Sequence, residues 1–166
     1  MDSKILFSEK QKFTQWWLWL LLWGMNSIFL YGIYQQVLLG IPYGDHPMSN
    51  AGLWLTFGLM LLLSLLFWIA KLETNITKEC IYVRLFPFQI KYRSILWSNV
   101  HKAYIRTYSP IKEYGGWGIR VGLSENGQAY NVSGNVGLQI EYTNGNKLLI
   151  GTQKAAALEK VISTIL

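Results

Sequence analysis

The chain has 166 residues, of which 51% are hydrophobic, and its formal net charge is +6 at pH 7. Its one cysteine cannot form a disulfide within the chain, which agrees with a reducing compartment. Six of the eight tryptophans precede residue 71, in the most apolar part of the chain. Membrane topology therefore explains the positive charge better than nucleic-acid binding does.

Residues 1–12 are short and polar, and we predict that they form a cytoplasmic N-terminal segment. Ser8 with Gln11 three residues later has the spacing found at helix N-termini. A short helix at the membrane surface and a frayed tail would both fit this segment.

Residues 13–70 are predicted to form a two-helix transmembrane hairpin. No ionised side chain occurs between Lys12 and Asp45, or between Asp45 and Lys71. Two apolar runs, residues 16–39 and 53–70, fill these gaps. At about 1.5 Å per residue, each run is long enough to cross a hydrocarbon core of about 30 Å.

Basic residues flank the hairpin and are missing from its connecting loop, residues 40–52. The flanking cations are Lys4, Lys10 and Lys12 before the first span, and Lys71, Lys78 and Arg84 after the second. Lys and Arg are retained on the cytoplasmic side of a membrane. The pattern predicts a multi-pass protein of the cell (inner) membrane with both termini in the cytoplasm.

Polar and small residues interrupt the first span. Asn26 lies in its middle, Gln35 and Gln36 lie near its end, and Gly24 and Gly32 fall on nearly one helix face. An amide in hydrocarbon needs a hydrogen-bond partner, so Gly24, Asn26 and Gly32 are candidate helix–helix contacts. Asn26 could bond to the second span, or it could face another copy or a water path.

The sequence provides no recognisable catalytic, metal-binding or cofactor-binding set. Its two histidines, His46 and His101, are predicted on opposite sides of the membrane, and the carboxylates have no spacing typical of an acid/base pair. Cys80 lies in strand-like sequence, as a core thiol would. We therefore expect a protein that is not an enzyme, with no cofactor and no small-molecule substrate.

Residues 71–166 alternate between apolar and polar residues in a pattern typical of strands. The predicted strands are residues 81–86, 90–96, 100–108, 119–123, 130–132, 138–142 and 146–150. A C-terminal helix follows, with Thr152 as its N-cap and an apolar stripe of Leu158, Val161, Ile162 and Ile165.

Two Asn-Gly pairs predict hairpin turns whose lengths follow from side-chain parity. At Asn144-Gly145, a three-residue loop with a left-handed Gly145 places Ile140 opposite Leu148 and Leu138 opposite Ile150. At Asn126-Gly127, a two-residue type I′ loop places Leu123 opposite Tyr130 and Val121 opposite Val132.

About seven antiparallel strands and one C-terminal helix resemble a pleckstrin-homology-like (PH-like) barrel over residues 72–166. The segments at 102–104, 114–120 and 130–135 are similar to an uncharacterised bacterial family of two-span membrane proteins with such a domain. The resemblance implies a membrane α-helical hairpin plus an all-β or α+β domain. The short turn Thr77-Lys78-Glu79 departs from the basic hairpin that binds phosphoinositides in eukaryotic members, so those residues are not transferred.

Two surfaces of the domain are candidate binding sites. Lys91, Arg93, Lys102 and Arg106 fall on adjacent predicted strands and could face anionic lipid, or they could form an ordinary solvated face. The glycine-rich stretch 115–118 could be a tight barrel corner. Alternatively, its neighbours Tyr114, Trp117 and Arg120 could contact a partner.

The function predicted from the sequence is a non-enzymatic, membrane-anchored interaction module. It would present the PH-like domain at the cytoplasmic face to a protein partner, to its own copies or to anionic lipid. The alternative is an oligomeric accessory subunit or small pore built from the helical hairpins.

Overall fold

The computed structural model describes residues 4–122 and 126–165. The chain divides into two compact units. A helical unit is made from Thr14–Trp68, and a β unit is made from the chain on either side, Met1–Phe13 and Ile69–Leu166. The helical unit is thus an insertion within the sequence of the β unit.

The helical unit contains two long apolar helices. Helix α1 spans Trp16–Ile33 and continues into a π-helical turn at Tyr34–Leu38, and helix α2 spans Asn50–Ile69. Both helices are long and apolar enough to cross a membrane, and few of their residues are buried. The second helix begins three residues earlier than the predicted span, because the Ser49 hydroxyl accepts the backbone N–H of Gly52 at 3.1 Å.

The first sheet of the β unit contains four antiparallel strands in the order β1-β2-β3-β4. They are β1 Phe7–Lys12, β2 Lys71–Ile76, β3 Cys80–Phe86 and β4 Arg93–Leu96. Strand β3 has the predicted alternation, with Ile81, Val83 and Leu85 buried. Strand β4 is shorter than predicted, because residues 87–92 form a loop.

Strand β1 corrects the expectation that the N-terminal segment is a helix start or a frayed tail. It pairs with β2 over six residues, from Phe7 opposite Ile76 to Lys12 opposite Lys71. Its alternation was hidden in the sequence, because two of the three residues that point inward, Glu9 and Gln11, are polar.

The second sheet has five strands in the order β5-β8-β9-β7-β6. They are β5 Val100–Thr107, β6 Gly118–Val121, β7 Gln128–Asn131, β8 Val136–Tyr142 and β9 Lys147–Gly151. All neighbouring pairs are antiparallel except β7 and β9, which are parallel. The expected single barrel of about seven strands is therefore wrong: the described residues form nine strands in two sheets and no closed barrel.

The two Asn-Gly turns have opposite outcomes. At Asn144-Gly145, Ile140 pairs with Leu148 and Gly145 has a φ of 83°, so the three-residue loop is confirmed. At the other turn Val121 pairs with Gln128, so its predicted pairing with Val132 is wrong. The parity argument failed there because Val121 is not an inward residue: it is 76% exposed. Leu123, the other residue of that prediction, lies outside the described residues.

The described part of the β unit also contains two α-helices, α3 at Pro110–Tyr114 and α4 at Ala155–Ile165, and a 3-10 turn at Trp97–Asn99. Helix α4 buries Leu158 and Ile162, as the apolar stripe predicted. Thr152 is not its N-cap, because the first helical hydrogen bond runs from Leu158 N–H to the Lys154 carbonyl at 2.9 Å. Instead, the Thr152 hydroxyl accepts the Lys154 N–H at 3.1 Å, just before the helix.

The strand β1 also joins the first sheet to the chain between β9 and α4. The Glu9 carboxylate accepts hydrogen bonds from the Thr152 hydroxyl at 2.7 Å and from the Gln153 N–H at 2.8 Å. The Gln11 side-chain amide donates to the Gly151 carbonyl at 2.7 Å. Both side chains are almost fully buried, so the N-terminal strand is an integral part of the β unit.

Candidate functional site

The surface of the helical unit is apolar on nearly all sides. Trp16, Trp23, Leu55 and Trp68 are among its most exposed side chains. A helix that is hydrophobic all round is typical of a membrane span or a buried core helix, and these two helices are largely exposed. Their backbone hydrogen bonds are satisfied internally, as hydrocarbon requires.

Asn26 bonds to the second helix, which is the first of the two alternatives that the sequence left open. Its side-chain nitrogen donates to the Ser64 hydroxyl at 2.8 Å and to the Leu22 carbonyl at 2.7 Å. Both amide hydrogens are therefore used inside the helical unit, and the side chain has no donor left for another copy.

The end of the first helix and the connecting loop are organised by Gln36. Its amide nitrogen donates to the Met48 carbonyl at 2.7 Å and to Asn50 Oδ1 at 2.8 Å. Its Oε1 accepts the Tyr43 N–H at 3.3 Å. This role explains why an amide is placed at the end of an apolar helix.

The two glycines of the first span have different surroundings. A Cβ at Gly32 would lie 2.8 Å from the Tyr43 ring, so this glycine admits the loop rather than another helix. A Cβ at Gly24 would have no neighbour within 4 Å. A helix–helix contact at Gly24 stays a prediction.

The four predicted lipid-binding cations do not form one face. Arg93 is on β4 and Lys91 precedes it, whereas Lys102 and Arg106 are on β5, in the other sheet. The expectation of adjacent strands failed because β5 pairs with β8 and not with β4. Of the four, Lys91 and Lys102 have exposed side chains.

Arg106 is engaged within the β unit. Its guanidinium donates to Gln139 Oε1 at 2.8 Å and lies 2.8 Å from the Glu113 carboxylate. It also donates to the Tyr114 hydroxyl at 3.1 Å. These contacts hold the short helix α3 against the second sheet, and they give Arg106 a structural role.

The predicted partner contact at Tyr114, Trp117 and Arg120 is only partly exposed. Tyr114 is 2% exposed, and its hydroxyl donates to the Asn126 carbonyl at 3.2 Å. Trp117 is half-buried and Arg120 is exposed, with its Nε donating to the Trp117 carbonyl at 2.9 Å. A partner could reach Arg120 and part of Trp117 but not the Tyr114 ring.

A buried ionic cluster that sequence reasoning missed lies at one end of the first sheet. Glu73 is 2% exposed and accepts hydrogen bonds from Arg84 Nε at 2.6 Å and from the Tyr92 hydroxyl at 2.6 Å. The Lys71 ammonium lies 3.0 Å away. Burial alone would raise the pKa of Glu73, but hydrogen bonds from Tyr92, Arg84 and Lys71 outweigh it and lower the pKa to about 2.

This cluster orders the loop Pro87–Tyr92, called here the β3–β4 loop. Tyr92, the last residue of the loop, is held by its hydrogen bond to the Glu73 carboxylate, and Arg84 Nη1 donates to the Ile90 carbonyl at 3.0 Å. The Gln89 N–H donates to the Leu85 carbonyl at 2.8 Å. While these groups hold the loop backbone, Phe88 and Ile90 remain 60% and 79% exposed.

A polar cleft of about 570 Å³ lies elsewhere in the β unit. Arg93 and Lys147 contribute its cations, and Asn, Gln, Ser, Thr and Tyr side chains line most of the remainder. Arg93 is held by Gln128 Oε1 at 2.6 Å. No carboxylate belongs to the described lining, so the cleft suits an anionic or hydrogen-bonding group.

Within residues 4–122 and 126–165, no three His, Cys, Asp or Glu side chains are grouped so that they could hold a metal ion. Comparison of the chain with protein-family models and with curated protein sequences finds no match.

Proposed function

We propose that this chain is a non-enzymatic, membrane-anchored interaction module that presents its β unit at the cytoplasmic face. One observation carries the proposal: an exposed apolar helical pair is inserted between two neighbouring strands. Lys12 at the end of β1 is the direct partner of Lys71 at the start of β2. Both ends of the helical pair therefore join one end of one sheet, as a hairpin that crosses and returns requires.

The distribution of charge supports the cytoplasmic orientation. Cations cluster at the ends of the inserted segment that join the sheet, whereas loop residues 40–49 contain no Lys or Arg. Under the positive-inside rule, the β unit then lies in the cytoplasm and the loop lies outside.

The β unit offers two places for a partner on this proposal. The polar cleft, with Arg93 and Lys147, would accept an acidic group from a protein or a lipid. The exposed Arg120 is a second contact point. Anchoring raises the effective concentration of the β unit near the membrane, so contacts that are weak in solution would suffice. The resemblance to PH-like domains stays an expectation.

Cysteine labelling tests the topology. Cys80 is the only cysteine and is buried, so C80A gives a background in which H46C probes the loop and K78C probes the β unit. In intact cells, a membrane-impermeant maleimide should label H46C. It should label K78C only after permeabilisation. Labelling of K78C in intact cells would reverse the orientation, and extraction of the chain from membranes by alkaline carbonate would refute anchoring.

The interaction part is tested separately by crosslinking in native membranes. A photoreactive residue at Arg120 should give a specific adduct that is lost when R93E and K147E are combined, if the partner covers both sites. A matched probe at Lys78, which lies in the turn between β2 and β3, should give no adduct. Equal adducts from both positions would indicate nonspecific proximity and count against a defined partner site.

A further inference from the structure

The β3–β4 loop lies at the same end of the first sheet as the two junctions with the helical pair. Lys12 pairs with Lys71, and Lys71 in turn pairs with Phe86, the last residue of β3. Neighbouring strands are about 5 Å apart, so the loop begins about 5 Å from one junction and about 10 Å from the other.

The loop tip has the composition of a membrane-interface segment. Phe88 and Ile90 are its large apolar side chains, and both are mostly exposed. Lys91 follows directly and is exposed, so it can reach an anionic headgroup while the apolar residues enter the layer below. These two exposed side chains on a loop with an ordered backbone give the β unit apolar surface that an apolar partner could cover.

The lipid surface is the occupant that geometry favours. If the helical pair spans the bilayer, the chain passes through the headgroup layer at both junctions. That layer is only about 5–8 Å deep on each side. A loop that starts within about 10 Å of both crossings is therefore at the level of the headgroups or directly above them.

From this placement we infer that the β3–β4 loop inserts Phe88 and Ile90 into the cytoplasmic leaflet, with Lys91 on an anionic headgroup. The inference rests on the proposed function, because it needs the helical pair to be in the membrane. It adds a third attachment point, which would restrict rotation of the β unit about its two tethers. The Glu73 cluster is the internal support that orients the loop tip for this contact.

Depth-dependent quenching tests this inference on the full chain. Single cysteines in the C80A background carry an environment-sensitive nitrobenzoxadiazole label at I90C, at K78C and at L21C. The chain is reconstituted in vesicles of phosphatidylethanolamine with a minor fraction of phosphatidylglycerol, with or without doxyl-labelled lipid. Ile90 and Lys78 are both exposed, so these substitutions leave the core unchanged. Leu21 is an exposed residue of the first span.

The three positions test the membrane anchor and the insertion of the β3–β4 loop separately. The turn that contains Lys78 lies beyond Ile76, so it is at least about 17 Å along the strand from the β3–β4 loop. We expect doxyl lipid to reduce emission roughly twofold at L21C and I90C, and to leave K78C unchanged, because an interfacial side chain lies about 5–10 Å into the membrane boundary.

Each other outcome overturns a stated claim. Quenching at L21C with I90C behaving like K78C refutes loop insertion and leaves the anchor intact. A blue-shifted I90C that doxyl lipid does not quench means that the loop tip is covered by protein, which also refutes it. Absence of quenching at L21C refutes the membrane anchor, and the loop inference is then rejected with it.

Discussion

The inserted helical pair should be removable without loss of the β unit, provided that strand β1 is kept. Lys12 and Lys71 are paired, so Phe13 and Ala70 are placed to be joined by a two-residue Asn-Gly turn in place of residues 14–69. We expect the rejoined chain to be soluble without detergent and to unfold cooperatively. The matched control is residues 70–166 alone, which lack β1.

The magnitude of the loss in that control follows from the contacts of β1. Burial of Phe7 contributes about 1.5–3 kcal/mol. The two hydrogen bonds to the buried Glu9 carboxylate contribute about 1.5–3 kcal/mol each, and the bond from Gln11 contributes about 0.5–1.5 kcal/mol. The total is at least about 5 kcal/mol, which approaches the whole stability of a typical domain.

Urea titration followed by circular dichroism measures the difference. The rejoined chain should show a single transition, and residues 70–166 should show none or should aggregate. Equal stability of the two chains would refute the structural role assigned to β1. A rejoined chain that stays unfolded, while the full chain in detergent keeps its strand signal, would refute the insertion topology.

Three further tests concern other parts of the molecule. The pKa of Glu73 is about 2 in the folded chain, so the ionised carboxylate stabilises the fold above pH 4.5, and this stabilisation is lost as the pH falls towards 2. The E73Q variant should lack roughly 3 kcal/mol of that acid-sensitive stability. An unchanged pH profile of unfolding would contradict this. S64A removes the hydroxyl that accepts a hydrogen bond from Asn26, and it should lower the free energy of unfolding of the full chain by about 0.6–1.5 kcal/mol in an SDS titration. An unchanged free energy of unfolding would mean that this bond is not formed. G127A should destabilise the fold far more than G145A. Gly127 and Gly145 both have a positive φ, but only at Gly127 would an added Cβ lie against a neighbouring carbonyl. G145A should cost about 1 kcal/mol, and equal melting temperatures of the two variants would contradict the turn geometry.

The helical pair could be predicted because its signal is the absence of charge, which does not depend on tertiary structure. The Asn144-Gly145 turn could be predicted for a related reason. Its flanking residues Leu138, Ile140 and Leu148 are all fully buried, so side-chain parity allows only one register.

Strand β1 and the second turn show where such reasoning stops. The inward face of β1 carries Glu9 and Gln11, whose burial is compensated by groups more than 130 residues away. No local pattern contains that information. At the other Asn-Gly turn, Val121 is apolar but exposed. Its hydrophobicity therefore predicted the wrong face of β6 as the covered one.

The prediction that four cations share one face is wrong because of the strand topology. Lys91 and Arg93 were grouped with Lys102 and Arg106 because their strands are consecutive, but consecutive strands β4 and β5 belong to different sheets. The ionic cluster at Glu73 has no periodic signature in the sequence, because Arg84 reaches Glu73 from the neighbouring strand β3 and Tyr92 reaches it from the β3–β4 loop.

The place of strand β1 in the chain imposes an order on biosynthesis. The ribosome completes β1 before its sheet partner β2, which emerges only after both apolar helices have been made. The groups that bond to Glu9 follow 143 and 144 residues later. At about 5–20 residues per second, the nascent β1 remains unpaired for several seconds. If the helices enter a membrane as proposed, their insertion comes before closure of the first sheet, and a chain whose helices fail to insert would keep an open strand edge for chaperones or proteases to recognise.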